Sequence, residues 1–365
     1  MKKVLFISQC VICSIFLGAC SDKTLDLSCT SILLNSSDTV SSSFGDFFDI
    51  TMCLPLEETE NSHINTIRRV EFFEGNYYVS NSSGDIGLLV FNKEGKFVRK
   101  IGSKGNGRGE YTNIIDFSID KKNRRILLLC NRSSLVKVYS LDGTFQKEKI
   151  LHKTSLNDFA CVNGLILCTT NHQGFTENEN DSLFYIFDEN LNYIKKHTYI
   201  PDNNIGTTSL IPSNIRACGN KFVYSDFHEH RTFLLNDHGE IENCFKYEED
   251  DLVSLKEQKS MKKFMEGQIN YSFILSSSIL NNKCITVYKV GQRIRLSINN
   301  SNGERIANKP INSFPYFMGY DGDQALSAVS FDELKSLNIT PNHKGIDKVC
   351  YYIIKYKLKD KIGKH

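Results

Sequence analysis

The sequence has no surplus of charge of either sign. Its 365 residues carry 44 Lys and Arg against 42 Asp and Glu. Two of the lysines, Lys2 and Lys3, belong to a signal-like N-terminus, which leaves 42 against 42. A neutral chain has no global electrostatic attraction for nucleic acid or another strongly charged polymer. The basic run Lys121-Lys122-Asn123-Arg124-Arg125 falls where a hairpin turn is expected and reads as solvated. No CxxC pair occurs beyond residue 20, which argues against a zinc knuckle or a thioredoxin-like site. No GK[ST] follows the glycines at 102, 105, 107 and 109, and their loop leads into a strand where a P-loop would open a helix. No GxSxG occurs, and no histidine or carboxylate is matched to a particular serine. His228 and His230 share one strand face, but the sequence nominates no third and fourth ligand for a metal. Long 3.6-periodic stretches are absent too, which argues against helical repeats.

What the chain has is a recurring turn. FNKEGKF at 91–97 is followed by YSLDGTF at 139–145, FDENLNY at 187–193 and LNDHGEI at 235–241, with a step of 48 residues each time. A fifth copy, NNSNGERI at 299–306, comes after an additional 16 residues, which fit a charged segment at 248–268 with apolar positions near helical spacing. Four short strands and their turns fill such a step, the size of a propeller blade. Strand-like stretches give five blades from Thr66 to Ile311. PYFMGY, ALSAVS and KVCYYIIKYKL (348–358) supply three strands of a sixth, with Ser330-Phe331-Asp332-Glu333 as a capping box between them. The missing fourth strand is expected upstream, in GDFFDITMCLP at 45–55, and pairing it beside the C-terminal strand removes an exposed edge. The reading is an all-β, six-bladed β-propeller with four-stranded antiparallel blades, closed by the N-terminal strand.

The first 19 residues read as a secretory signal: Lys2 and Lys3 precede an apolar run that is too short and interrupted for a comfortable membrane span. Leu17-Gly18-Ala19-Cys20 resembles the bacterial lipoprotein signal, in which the thiol of Cys20 takes a diacylglyceryl group. Residues 20–44 are expected to be a lipidated, Ser- and Thr-rich tether, 45–358 the propeller and 359–365 a tail. Nine cysteines remain after Cys20, so at least one is unpaired within the chain. Cys130, Cys161 and Cys168 lie in apolar strands and are expected to behave as small hydrophobes, and the pairing of the others is open.

Together the lipobox, the tether, the run FxxxGKFVRKIGxKGxGxGEY, the strand DFSID and the terminal YKLK strand resemble six-bladed β-propeller lipoproteins of the Bacteroides type, related in shape to NHL and TolB-like propellers. Arg108 stands where that family usually has proline before the last glycine. The resemblance implies an envelope location, at the outer membrane through a lipid anchor, and supplies no reaction. The expected role is recognition of an extracellular glycan, peptide or envelope protein, with no cofactor and no metal. The alternative is a lactonase-like hydrolase or lyase with an axial calcium held by carboxylates and amides from several blades. Polar residues near the start of the inner strands are the candidate ligand-binding ring: Arg68, Arg108, Glu110, Tyr111, Asn113, Asp116, Asp158, Asn214 and Arg216, with Tyr316 as an aromatic surface. Arg69, Asn157 and Tyr271 belong to the same zone.

Overall fold

The recurring turn is built by a side chain. In the computed structural model, Asn92 Oδ1 accepts from the backbone N–H of Glu94 (3.0 Å) and Lys96 (2.9 Å). Asp188, Asn236 and Asn300 repeat this at their own +2 and +4 positions, at 2.8–2.9 Å. Ser140 occupies the position in the second copy, where Asp142 Oδ1 accepts from Thr144 N instead (2.9 Å). These Asx-type bonds pre-form the turn. The residue after them sits in the left-handed region: Gly95, Gly143, Gly239 and Gly303 at φ of 71–93°, and Leu191 at 66° in the third copy. A β-bulge accompanies each turn, between the last residues of the third strand and the start of the fourth. One local chemistry therefore sets the same bend five times.

The structure describes residues 28–35, 37–82, 86–130, 134–151, 156–170, 182–198, 214–226, 230–249, 252, 272–341 and 345–362. Six blades of four antiparallel strands form a ring. From inner to outer strand, blade 1 comprises Ile67–Phe73, Asn76–Asn81, Gly87–Asn92 and Phe97–Ile101. Blade 2 comprises Ile114–Asp120, Arg125–Cys130, Leu135–Ser140 and Phe145–Ile150. Blade 3 comprises Leu156–Val162, Leu165–Thr170, Ser182–Phe187 and Tyr193–Thr198. Blade 4 comprises Asn214–Cys218, Lys221–Asp226, Arg231–Leu235 and Ile241–Glu248. Blade 5 comprises Ser272–Leu280, Lys283–Val290, Arg293–Asn299 and Arg305–Pro310. The charged segment at 248–268 lies outside the described residues apart from Glu248, Glu249 and Leu252.

Blade 6 takes Gly319–Asp321, Gln324–Val329 and Val349–Leu358 from the C-terminal part of the chain and Phe48–Glu57 from the N-terminal part. The closing pair runs antiparallel from Phe48 opposite Leu358 to Glu57 opposite Val349. The capping box also forms: Ser330 Oγ accepts from Glu333 N, Ser330 N donates to Glu333 Oε2 (2.6 Å), and a helix follows at Phe331–Ser336.

Middle strands such as RILLLC are buried along their whole length, because each blade packs a neighbour on both faces. The core accordingly divides into inter-blade clusters, for example Tyr78, Leu88 and Val90 of blade 1 against Phe117, Ile126 and Leu128 of blade 2. Cys130, Cys161 and Cys168 are free thiols inside this packing. Burial pushes the Cys130 thiol up to about 12, so it packs as a small hydrophobe.

The expected tether at 20–44 needs correction from residue 28 onward. Cys29 is disulfide-bonded to Cys244. Thr30–Leu33 then adds a fifth, parallel strand to blade 4, with Thr30 opposite Phe245 and Leu33 opposite Glu248. Ile32 and Leu34 are completely buried among Phe245, Tyr247 and Val223. Ser42 bridges to Ile311 at the end of blade 5, and Phe44 stacks on Phe48 with its edge toward Tyr356 of blade 6. Two apolar side chains alternating in a Ser- and Thr-rich stretch are enough to fasten it, because each contributes about 1.5–3 kcal/mol when fully buried. Residues 28–57 are thus a strap around blades 4, 5 and 6.

Candidate functional site

Every inner strand starts on the same face of the ring, so the first residues of those strands and the loops before them converge there. The inner strands of neighbouring blades pack against one another around the ring. That of blade 4 lies against that of blade 6, while blade 5 packs its inner strand on the second and third strands of blade 4.

The axis is filled by Arg69, which is completely buried. Its Nη1 donates to the carbonyls of Phe117 (2.5 Å) in blade 2 and Phe159 (2.6 Å) in blade 3. Its Nη2 donates to Asp158 Oδ1 (3.0 Å) and to the Ile215 carbonyl of blade 4, and lies 2.9 Å from Asp116 Oδ2. One guanidinium on blade 1 thus joins the next three blades. The carboxylates continue the pattern: Glu71 Oε2 accepts from Ile119 N (2.9 Å), Asp116 Oδ2 from Phe159 N (3.1 Å) and Asp158 Oδ2 from Ile215 N (3.1 Å). Each acid ties its own blade to the following one.

Three arginines and three carboxyl groups meet here. Arg68 reaches over from blade 1 to the Ile115 (3.0 Å) and Asn157 (3.3 Å) carbonyls, and Arg216 lies 3.4 Å from Asp158 Oδ1. The two aspartates differ. Burial raises the Asp116 carboxyl well above its ordinary range, with the Asp158 charge adding to it against the pull of Arg69. Burial also opposes ionisation of Asp158, but Arg216, a hydrogen bond with Asp116, Arg68 and Arg69 outweigh it and lower its pKa. Burial and the neighbouring Arg69 push Arg216 down to about 10. Asp116 Oδ1, Arg69 Nε and Arg216 Nε have no hydrogen-bond partner among the described residues. Negative charge therefore rests more readily on Asp158, and Asp116 is the group of the pair that takes a proton.

The candidate ring therefore separates into two sets. Asp116, Asp158 and Arg216 are buried and engaged in holding blades together, in place of lining an open funnel. Tyr111 is buried as well, and its hydroxyl donates to the Ile101 carbonyl (3.0 Å). Solvent reaches Arg68 in part, and Arg108, Asn113 and Tyr316 are exposed. Asn214 starts the inner strand of blade 4, opposite Ser225. Cys20, Tyr271 and His228 lie outside the described residues.

The glycine-rich loop has a packing explanation. Glu110, half-buried, accepts at Oε2 from Gly107 N (2.7 Å), and a Cβ on Gly105 or Gly107 would stand 2.1 or 2.9 Å from that oxygen. The glycines make room for a carboxylate that folds the loop over itself. Tyr139 of blade 2 donates to the Gly109 carbonyl (2.9 Å), and the Arg108 guanidinium lies 5.8 Å from the Phe145 ring centroid. Arg108 thus caps the outer strand of blade 2 where a proline would have fixed the loop by its φ alone. Sequence reasoning had placed Arg69 among the polar lining and missed its part as the axial plug. The adjacent Arg68-Arg69 pair in an apolar strand was the available signal, since one member of such a pair must point inward. Among the described residues no group of three His, Cys, Asp or Glu is placed to hold a metal ion.

The family described as 6-bladed beta-propeller, DUF5128, matches residues 24–311. The chain belongs to this family. Blade 6 extends beyond the matched segment on its C-terminal side. Among solved structures, the chain is similar to a "Putative exported protein" of Bacteroides fragilis NCTC 9343, at 17% identity and a TM-score of 0.70, over 91% of this chain and 99% of that one. It is also similar to a member of the duf4221 family from Bacteroides vulgatus ATCC 8482, at 10% identity and a TM-score of 0.60, over 86% and 98% respectively. At these identities the likeness concerns the fold. Among curated proteins, none matches the sequence.

Proposed function

We propose that this propeller is a lipid-anchored recognition protein of the bacterial envelope, attached through Cys20 to the outer membrane and binding a glycan, peptide or partner protein with its loop face. The observation that carries this reading is the axial plug. The carboxylates that an axial calcium or an acid–base pair would need, Asp116 and Asp158, are taken up by Arg69, Arg216 and backbone amides. A ring closed at its axis is a rigid platform, and rigid platforms act through the loops they hold. The similarity to a "Putative exported protein" of Bacteroides fragilis supports the location.

The binding set consists of the solvent-facing members, Arg68, Arg108, Asn113 and Tyr316, with Glu110 shaping the loop between them. A guanidinium, an amide and an aromatic face are the groups that read sugar hydroxyls and peptide backbones without a metal. The test is a glycan and peptide array with residues 21–365, followed by titration of the Arg108→Ala, Asn113→Ala and Tyr316→Ala variants. A confirmed ligand should bind at least one variant tenfold more weakly, with no change on chelation. Unchanged affinity in all three refutes the site, and turnover that depends on Ca²⁺ replaces the reading with the hydrolase or lyase alternative. Accumulation of a larger precursor under globomycin tests the anchor, and mature protein retaining Lys2 refutes it.

A further inference from the structure

We infer that the propeller stands on its rim against the lipid surface, with the edge of blades 4 and 5 toward the bilayer and the loop face turned sideways. The inference rests on the proposed anchor at Cys20 and extends it. The disulfide pins Cys29 to the outer strand of blade 4, so the free length after Cys20 is nine Cα–Cα steps. Nine steps reach at most about 30 Å whatever their conformation. A folded chain of this size has a radius of gyration of about 20 Å and a width on the order of 50 Å. The tether is thus shorter than the molecule, and the point where it joins the fold is a rim. Without the disulfide and the parallel strand the first fixed points would be the contacts of Asn35, Asp38 and Ser42 with blade 5, and the orientation would be looser.

The rim near that point has the chemistry of an interfacial contact. Leu33 on the strap is 60% exposed, Val40 71% and Ile306 on the outer strand of blade 5 38%. Arg305, beside Ile306, donates to the carbonyls of Leu33 (2.8 Å) and Asn35 (2.6 Å), which fixes strap and blade edge side by side. Between them lies a groove of about 930 Å³ lined by Asn35, Asp38, Glu249, Arg305, Ile306 and Lys309. Asp38 and Lys309 are paired with each other in this groove, so what the rim offers a lipid interface is its exposed apolar side chains, held side by side by Arg305. Three exposed apolar side chains add only a few kcal/mol to a lipid anchor, enough to bias a tethered body toward one face.

The sequence contains no tryptophan, so single tryptophans report on position without background. The full-length lipidated protein, reconstituted in phosphatidylcholine vesicles with shallowly brominated acyl chains, is compared as Leu33→Trp, Ile306→Trp and Val98→Trp. Val98 is a 40% exposed control on the outer strand of blade 1, across the ring. Quenching at Leu33→Trp and Ile306→Trp should exceed that at Val98→Trp several-fold, and a 20-residue Gly/Ser insertion after Lys23 should remove most of the difference. Equal quenching at the three positions in protein that floats with the vesicles overturns the orientation and leaves the anchor intact. Protein that fails to float refutes the anchor and, with it, the orientation.

Discussion

Replacing Arg69 by Met keeps most of the side-chain volume and removes the charge at the axis. Three carbonyls, those of Phe117, Phe159 and Ile215, lose a donor, and Asp116 loses the guanidinium 2.9 Å away. Asp158 retains Arg68 and Arg216. Breaking a buried pair from one side costs about 3–5 kcal/mol, and each orphaned buried acceptor costs about 1–3 kcal/mol. Asp116 is already the member of the pair that takes the proton, which keeps the cost of losing its partner at the low end, so a net loss of about 4–6 kcal/mol is expected, against a typical total of 5–15 kcal/mol. Urea unfolding followed by circular dichroism should show a midpoint lower by about 1 M or more.

The pH dependence separates the two acids. Asp158 has a lowered folded-state pKa, so its contribution is present above the unfolded carboxylate range near 4 and is lost as pH falls through the folded value. Asp116 has a raised one, so its contribution is complete below about 4 and is lost as pH rises through the folded value. Asp158→Asn should therefore cost several kcal/mol at pH 7 and progressively less in acid, whereas Asp116→Asn should be nearly neutral at pH 7. A loss under about 1 kcal/mol for Arg69→Met, or equal costs for the two Asn variants at pH 7, refutes the account of the plug.

Three further outcomes follow from the packing. Gly95→Ala should destabilise several-fold more than Gly75→Ala: both positions have positive φ, but a Cβ at 95 would stand 1.9 Å from the Pro55 carbonyl of the closing strand, while nothing lies within 4 Å at 75. Matched thermal melts read the difference, and similar Tm values would mean that the closing strand yields. The Cys29→Ser/Cys244→Ser double variant should lose about 2–4 kcal/mol, and an unfolding midpoint indifferent to reductant in the parent protein would contradict this. Ile32→Ala should cost about 2–4 kcal/mol, measured by denaturant titration, because its side chain is completely buried under the strap; a cost under 0.5 kcal/mol would mean that the strap lies loosely on blade 4.

The propeller was legible because its most regular signal is local. An Asn or Asp whose side chain bonds the turn's backbone amides, followed by a left-handed residue, recurs at 48-residue steps, with Asp142 taking over in the copy that has Ser140. Leu191 shows the tolerance of that signal: it adopts φ of 66° and buries its side chain in the cluster between blades 2 and 3, an apolar contact that offsets the strain. The closing strand was legible by exclusion, since Phe48–Glu57 had no hairpin partner nearby. The strap was not, because a short stretch with two inward-facing apolar side chains, Ile32 and Leu34, is indistinguishable from tether until Phe245 and Tyr247 come to meet them. Nor was the pairing of Cys29 with Cys244, which are 215 residues apart. The site was half legible: the strand starts did converge, but sequence alone could not tell that Asp116 and Asp158 would be enclosed by Arg69 and Arg216 while Arg108 and Asn113 stayed in water.

The disulfide at the start of the strap also decides where force goes. Any pull on the chain before Cys29 passes through a covalent bond into the outer strand of blade 4. The parallel hydrogen bonds of Thr30–Leu33 and the antiparallel closure at Phe48–Glu57 lie on the slack side of that bond. Tension applied to the chain before Cys29 therefore bypasses the seam that keeps the ring shut and is taken up by the body of the blade 4 sheet before the closure is strained.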